Sequence, residues 1–521
     1  MKRILKTALL NLSLLSACGP APENSAESPA SPPDCAALAS LSLADTVIAS
    51  AATVPAGAYQ PPEGSFEMFP TDYSQLPELC RVSGSIHPTE DSDIRFELWL
   101  PTQGWNGRFM QTGNGGAAGS MMVFPMVDPL LRGYAVAHTD TGHRGGGGEF
   151  SWVAGHPERL VDFQYRAVHE LTRVGKELTT RYYGSPPASS VFMGCSTGGR
   201  QGLTEARYFP EDYDAIVAGA PANNWPALVT LSALTGAQVA PGSGSLPVPK
   251  LGLLKDAAIA ACDGDDGVAD RVIARPESCA FDPDSLRCTD SETADCLLPG
   301  EVAAARAVYT GLVNGAGEVL YPGTGPGSET TWAAYASPGF RIGSSFYQHV
   351  VMNDPAWDPA TLDVDRDLPR ARAATGPELA ADDPDLAAFF GRGGKLLMYH
   401  GTIDGLIPYA NSVQYQRNVA DTVGKAVADQ HLRFYLMPGM DHCAGGEGAW
   451  AADWLGAMEH WLDSGSPPGE LTAAHPAQAF GPPGTPPGKP FTRPLCPWPL
   501  AAVYRGQGDS VDAASFVCSV D

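Results

Sequence analysis

Two fragments far apart in the chain carry residue types that do chemistry together: Gly194-Cys195-Ser196-Thr197-Gly198 and Asp441-His442-Cys443. A serine hydroxyl becomes a nucleophile only beside a base that takes its proton. Each fragment sets a cysteine directly next to one of those two parties. If Cys195 and Cys443 are bridged, their Cα atoms lie about 6 Å apart, and Ser196 and His442 become neighbours by covalent geometry. The chemistry this predicts is ester or amide hydrolysis. A carboxylate to hold the imidazole in its working tautomer is available at Asp404, in the loop His400-Gly401-Thr402-Ile403-Asp404-Gly405.

The elements around these residues must place them. Ser190 to Met193 reads as a short buried strand running straight into Gly194-Cys195-Ser196, with a helix from Gly199 onward. Strand, sharp turn and helix are the setting of a nucleophile elbow, and the order Ser196, Asp404, His442 is that of nucleophile, acid and base in α/β-hydrolases. The bare Gly-x-Ser-x-Gly pattern is weak in a chain with 58 glycines, so the context carries the argument. Ile94 to Leu100 alternates as a half-exposed strand does. Phe109-Met110-Gln111 runs into the turn Gly113-Asn114-Gly115-Gly116, and Tyr134 to His138 reads as a buried parallel strand. Asp162 to Tyr183 has helical spacing, with Phe163, Ala167, Leu171, Val174 and Leu178 on one face. An oxyanion formed on attack needs preorganised donors worth about 3 kcal/mol each. The backbone N–H of Thr197 is expected as one, and that of Gly115 or Gly116 as the other.

From about Pro226 to Arg372 the strand–helix alternation is lost, and it returns at Gly394 to His400 and Arg433 to Met437. The expected architecture is an α/β-hydrolase, doubly wound, with a large inserted lid. Residues 35–225 and 373–521 form the catalytic domain and residues 226–372 the lid. Within the lid, Cys262-Asp263-Gly264-Asp265-Asp266-Gly267-Val268-Ala269-Asp270-Arg271-Val272 gathers carboxylates around a glycine turn. Asp263, Asp266 and Asp270, with the carbonyls of Val268 and Val272, can converge on a hard cation. This is not the twelve-residue EF-hand pattern; the expectation is a structural calcium remote from the chemistry.

The net charge of −25 leaves no basic surplus to displace counterions from phosphates and excludes a nucleic-acid partner. At the N-terminus, Lys2, Arg3 and Lys6 precede an apolar run and the tetrad Leu15-Ser16-Ala17-Cys18. Residues 1–17 read as an export signal. The tetrad resembles the bacterial lipobox, with Cys18 as the lipidated first residue and residues 18–34 as a Pro/Ser/Glu-rich tether. Gly19 is not the aspartate that signals inner-membrane retention, so the anchor is expected in the outer membrane. The ten cysteines beyond Cys18 read as five disulfides in an oxidising compartment. Their ~945 conceivable pairings are not resolved by spacing.

These residues resemble one known family, the tannases and feruloyl esterases, α/β-hydrolases marked by a Cys-Ser…Asp…His-Cys motif. The likeness is carried by Gly113-Asn114-Gly115-Gly116, Asp140-Thr141-Gly142-His143, Gly194 to Gly202, Gly219-Ala220-Pro221-Ala222-x-x-Trp225, His400-Gly401-x-x-Asp404, Pro438-Gly439-Met440-x-His442-Cys443 and Arg493-Pro494-Leu495-Cys496-Pro497. It implies Ser196 as nucleophile, His442 as base and Asp404 as its orienter. It also implies the calcium loop and the pairings Cys35–Cys80, Cys195–Cys443, Cys262–Cys279, Cys288–Cys296 and Cys496–Cys518.

The substrate class the resemblance implies is an ester of an aromatic acid, as a small molecule or on a plant-derived oligomer. Hydroxycinnamoyl (feruloyl) esters are the default and galloyl esters the tannase alternative. A terephthalate monoester hydrolase is the third branch; there a lid arginine meets the free carboxylate, where this chain has Ala336, with Arg341 the nearest substitute. Phe340, Phe346, Tyr347 and Trp357 are the candidate pocket aromatics, with Arg341 beside them. A binding protein on a dead hydrolase scaffold is the contrasting class, and the presence of all three triad residue types speaks against it. A peptidase would share the triad, and the resemblance disfavours it.

Overall fold

The computed structural model describes residues 34–520 apart from 68–69, 243–244, 290–293 and 478–488. The expected signal, Cys18 and all of the tether but Asp34 lie outside the described residues. Nine strands form one sheet: β1 (Thr46–Val54), β2 (Leu79–Ile86), β3 (Ile94–Pro101), β4 (Arg108–Thr112), β5 (Ala135–Thr139), β6 (Ser189–Cys195), β7 (Ala215–Gly219), β8 (Lys395–Gly401) and β9 (Leu432–Met437). Their order is β1-β2-β3-β5-β4-β6-β7-β8-β9. The first four in that order pair antiparallel and the rest parallel. The order turns back at β4, which lies between β5 and β6. A doubly wound sheet opens a crevice at the C-terminal ends of its strands at such a point. The Gly113–Gly116 turn and Ser196 sit there.

The parallel strands are short apolar runs because both faces are covered. Successive residues point to opposite sides: Phe192, Ile216 and Met398 enter one core, and Val191, Val217 and Leu397 the other. β3 departs from the half-exposed strand its alternation suggests. Its polar residue Glu97 is buried, because it accepts hydrogen bonds from Tyr59 Oη and Trp99 Nε1 and pairs with Arg81.

Helix α1 (Ala167–Tyr183) lays Leu171, Val174 and Leu178 on the sheet. The helical face read from Asp162 onward is present, but its first turn, Asp162–Arg166, is a wider π turn. The reason is Arg200, fully buried on α2 (Thr197–Tyr208), whose guanidinium donates to the Phe163 and Gln164 carbonyls and lies over the Phe163 and Trp225 rings. A π turn frees carbonyls from the helical ladder, and the arginine takes them.

Between β7 and β8 no described residue joins the large sheet. This stretch holds α3 (Trp225–Val239), α4 (Leu251–Cys262), α5 (Pro299–Thr310) and a small hairpin, Gly311–Val313 with Val319–Pro322. It has a core of its own around Leu254, Val302 and Trp332. A second cluster joins it to the catalytic face, where Trp225 and Phe346 meet Phe150 and Phe163. After β8 follow α6 (Tyr409–Val423), β9, α7 (Trp454–Ser464) and two C-terminal hairpins. Among the described residues no helix is long and apolar enough to cross a membrane.

Candidate active site

β6 ends at Cys195 and α2 begins at Thr197, so Ser196 alone makes the turn, with φ +64° and ψ −124°. This region is strained for a side-chain-bearing residue. Small neighbours let the turn close: a Cβ on Gly194 would meet Gly198 Cα at 2.7 Å, and one on Gly198 would meet Gly113 Cα at 3.1 Å. Ser196 N donates to Gly219 O at 3.0 Å, and Arg200 N donates to Ser196 O at 3.0 Å.

Cys195 and Cys443 are bridged, with Cα atoms 5.9 Å apart. The covalent link carries His442 to the crevice that holds Ser196, and both side chains border one cavity. Ser196 opens onto that cavity, and among the described residues its hydroxyl makes no hydrogen bond. His442 Nδ1 lies 2.7 Å from Asp404 Oδ2. Asp404 is fully buried at the end of β8, and its Oδ1 accepts the amides of Leu406 and Ile407 at 2.9 and 2.8 Å. Burial works against its charge, but the His442 and His400 imidazoles prevail and hold its carboxyl well below the usual range. Burial likewise works against a charged His442; the Asp404 charge and hydrogen bond, helped by Asp441, prevail and raise its pKa. Asp441 fixes the loop from the other side. It accepts His442 N at 2.7 Å and the hydroxyl of Thr331, reaching over from the inserted segment, at 3.1 Å.

The glycine turn is locked to the elbow. Gly198 N donates to Asn114 O at 2.7 Å, Asn114 and Gln201 exchange two bonds of 3.0 Å, and Thr197 Oγ1 donates to Gly116 O at 2.6 Å. Gly116 has φ +55°, and a Cβ there would strike Gly147 O at 2.1 Å, so only glycine fits. Among the described residues the Gly115 and Gly116 amides have no acceptor, and both residues border the cavity.

That cavity has a volume of about 580 Å³. Its walls are largely apolar, with Met122, Phe124, Met193, Phe340, Tyr399 and Leu406 among them. Of the anticipated pocket residues only Phe340 lines it. Phe346 and Tyr347 are fully buried in the inserted segment's packing, Trp357 stacks on Tyr347 at 5.0 Å, and Arg341 is exposed outside the cavity. Large rings at those positions fill a core. Ala336, likewise, packs on the Trp332 cluster. The walls that spacing did not reveal come partly from residues 118–129. An apolar stretch with neither helical nor strand period, following the glycine turn, was the available signal.

The remaining four disulfides are those the resemblance implied: Cys35–Cys80, Cys262–Cys279, Cys288–Cys296 and Cys496–Cys518. In the acidic loop, carboxylate oxygens of Asp263, Asp266 and Asp270 accept the amides of Asp270, Val268 and Val272. Burial, with the charges of Asp270 and Asp263, pushes Asp266 up to about 6. Burial also raises Asp270, against the opposing pull of Arg493, whose guanidinium pairs with it.

Residues 80–519 match the family described as Tannase and feruloyl esterase. The chain belongs to that family. An uncharacterized esterase of Xanthomonas campestris is 34% identical over 93% of this chain and 91% of its own length. A probable feruloyl esterase B-2 of Aspergillus terreus is 35% identical over 86% of this chain and 88% of its own. The crystal structure of feruloyl esterase B from Aspergillus oryzae superposes with a TM-score of 0.83 at 30% identity, covering 93% of this chain and 99% of that one. The sheet is accordingly that of an α/β-hydrolase, and this member of the tannase and feruloyl esterase family is an ester-hydrolysing enzyme.

Proposed function

We propose that this esterase cleaves hydroxycinnamoyl esters through Ser196, His442 and Asp404. The observation that carries the reading is the Asp404–His442 pair, linked through Cys443–Cys195 to a serine at the floor of an apolar cavity. Ser196 Oγ attacks the ester carbonyl carbon while His442 Nε2 takes its proton; Asp404 holds Nδ1 and stabilises the imidazolium. The carbonyl oxygen, now negative, is met by the amides of Thr197 and of Gly115 or Gly116. Collapse expels the alcohol, which leaves with the proton from His442, and an acyl-enzyme remains. Water, deprotonated by His442, repeats the attack and frees the acid.

The cavity's size falls within the ~300–1,000 Å³ of small-molecule sites. Among the described residues no lysine or arginine lines it. A terephthalate monoester would bring its free carboxylate there without a cation, which counts against that branch. Walls this poor in hydrogen-bonding side chains suit a methoxylated cinnamoyl ring better than the three hydroxyls of a galloyl group. The test is kcat/KM on methyl ferulate, methyl gallate and mono(2-hydroxyethyl) terephthalate, with Ser196→Ala beside the natural enzyme. A preference for ferulate lost in the variant supports the reading. Undiminished turnover by Ser196→Ala would sink the nucleophile assignment.

Calcium in the loop of Asp263, Asp266 and Asp270, with the carbonyls of Val268 and Val272, belongs to the same proposal. Its support is the half-buried cluster of mutually repelling carboxylates, which a divalent cation would neutralise and which Arg493 pairs directly only at Asp270 while attracting Asp266 from farther off. The ion would brace the loop and take no part in the chemistry. Export and an outer-membrane lipid anchor at Cys18 rest on the signal architecture and the lipobox-like tetrad. Labelling with radioactive palmitate, compared between the natural chain and Cys18→Ala, tests them.

A further inference from the structure

A second constellation lies away from the cavity, where α1 and α2 pack side by side. His169 of α1, Glu205 of α2 and Asp212 of the following loop bring one imidazole nitrogen and two carboxylate oxygens within 4.8 Å of one another. Glu205 is only 1% exposed, and among the described residues no N–H or hydroxyl donor reaches either of its oxygens. A buried carboxylate without donors is costly and calls for an explanation.

Its one polar contact is the Asp212 carboxylate, and the donors nearby are engaged elsewhere. His169 Nδ1 is 2.7 Å from Asp212 Oδ2, and its ring stacks on Phe209 at 4.2 Å. Lys176 of α1 turns its ammonium to the Asp212 backbone carbonyl. Tyr213 and Thr172 are engaged with Gln111. Arg392 donates to the Pro210 and Tyr213 carbonyls, with Asp214 3.9 Å away.

We propose that His169, Glu205 and Asp212 form a binding site for a divalent transition-metal ion of the zinc class. One imidazole and two carboxylates are a donor set that zinc, cobalt and manganese accept. Donor atoms held about 2.0–2.2 Å from one ion lie roughly 4 Å apart or less, so a small closure of the cluster completes the shell. Bound there, the ion supplies the positive charge that the two carboxylates lack. The His169 and Asp212 side chains are 33% and 18% exposed, which leaves a way in from solvent and room for water ligands. Lys176 adds a positive charge at the rim. Affinity must therefore come from the imidazole as well as from charge, which favours zinc over calcium or magnesium. The site shares no residue with the acidic loop of the inserted segment. Glu205 lies nine residues beyond Ser196, about 13 Å along α2. The ion would clamp the far end of the helix that carries the serine without touching the reacting atoms.

The test uses the full, untagged chain, stripped of metal and then saturated with calcium so that the acidic loop is out of play. Zn2+ is titrated by calorimetry, Co2+ is followed by visible absorption, and thermal unfolding is recorded in each state. The proposal expects one equivalent of Zn2+ beyond calcium, cobalt bands and a raised Tm. All three are lost in His169→Ala and diminished in Glu205→Gln, while kcat/KM on an ester stays within about twofold. If Glu205→Gln does not fold, the partly exposed His169→Ala decides. Absence of Zn2+ binding, or equal binding by His169→Ala, overturns it. So does a metal-free Glu205→Gln as stable as the zinc-loaded natural protein, which would mark the cluster as a proton-sharing carboxyl pair.

Discussion

His400 and His442 share one carboxylate oxygen. His442 Nδ1 lies 2.7 Å and His400 Nε2 3.2 Å from Asp404 Oδ2. His400 Nε2 also faces the Ile407 carbonyl at 2.9 Å, while its Nδ1 lies 2.8 Å from Ser412 Oγ. Two acceptors at Nε2 require the proton there, so His400 donates to Asp404. His400 is thus a positioning residue for the acid.

Replacing His400 with alanine removes one hydrogen bond to a buried charged group, worth about 1.5–3 kcal/mol. We expect kcat/KM to fall by roughly ten- to a hundredfold, with the inflection of the pH–rate profile displaced. A profile identical to that of the natural enzyme would show that His400 only fills space.

The raised His442 pKa sets the sign of the pH dependence. A general base works neutral, so kcat/KM should rise with pH through an apparent pKa above the ordinary value of about 6.5. Asp404→Asn should move that inflection downward and cut kcat by about 10⁴. Stability follows opposite limbs for the two partners. The raised His442 contributes fully below its unfolded pKa, and that share is lost as pH rises through the folded pKa. The depressed Asp404 contributes above about pH 4, and its share is lost as pH falls towards its folded value. Thermal unfolding from pH 3 to pH 9 reads both limbs.

The Cys195–Cys443 bridge closes a separation of 248 residues. Loop-closure entropy puts its contribution at up to about 5 kcal/mol. The double variant Cys195→Ala with Cys443→Ala should lose Tm. It should also lose kcat by about a hundredfold, because a 1 Å drift of His442 from Ser196 suffices for that. The Cys288→Ala, Cys296→Ala pair is the control, since it spans only 8 residues within the inserted segment. Equal kcat losses in both double variants would refute a geometric role at the site.

We expect protons to compete with calcium at Asp266, whose carboxyl is pushed by burial up to about 6. Calcium affinity should therefore weaken as pH drops below that value. At free calcium a hundredfold above Kd the ion should stabilise by ~2.7 kcal/mol, read as a Tm loss on adding chelator. A Tm indifferent to chelator at neutral pH removes calcium from the loop.

What could be read along the chain was local. Ser196 and His442 stood out because each is covalently adjacent to a cysteine, and Asp404 because it follows an apolar run in the right order. The central strands were legible because a strand covered on both faces is a short unbroken apolar segment. The resemblance added the five pairings that spacing left open.

What the tertiary structure decided were matters of facing. Alternation at Ile94–Leu100 predicts one wet face, yet Glu97 is buried because Tyr59 and Arg81, distant in the chain, satisfy it. Aromatic identity did not tell which side of the inserted segment meets the cavity, and Phe346 and Trp357 went to its packing while Phe340 reached the cavity. The motif His400-Gly401-x-x-Asp404 set those two residues near each other without showing that they touch, and the approach of Glu205 to His169 and Asp212 had no sequence signal. Hydrophobic periodicity reports only that a residue is buried; which polar groups meet inside is settled by how strands and helices from distant parts of the chain pack.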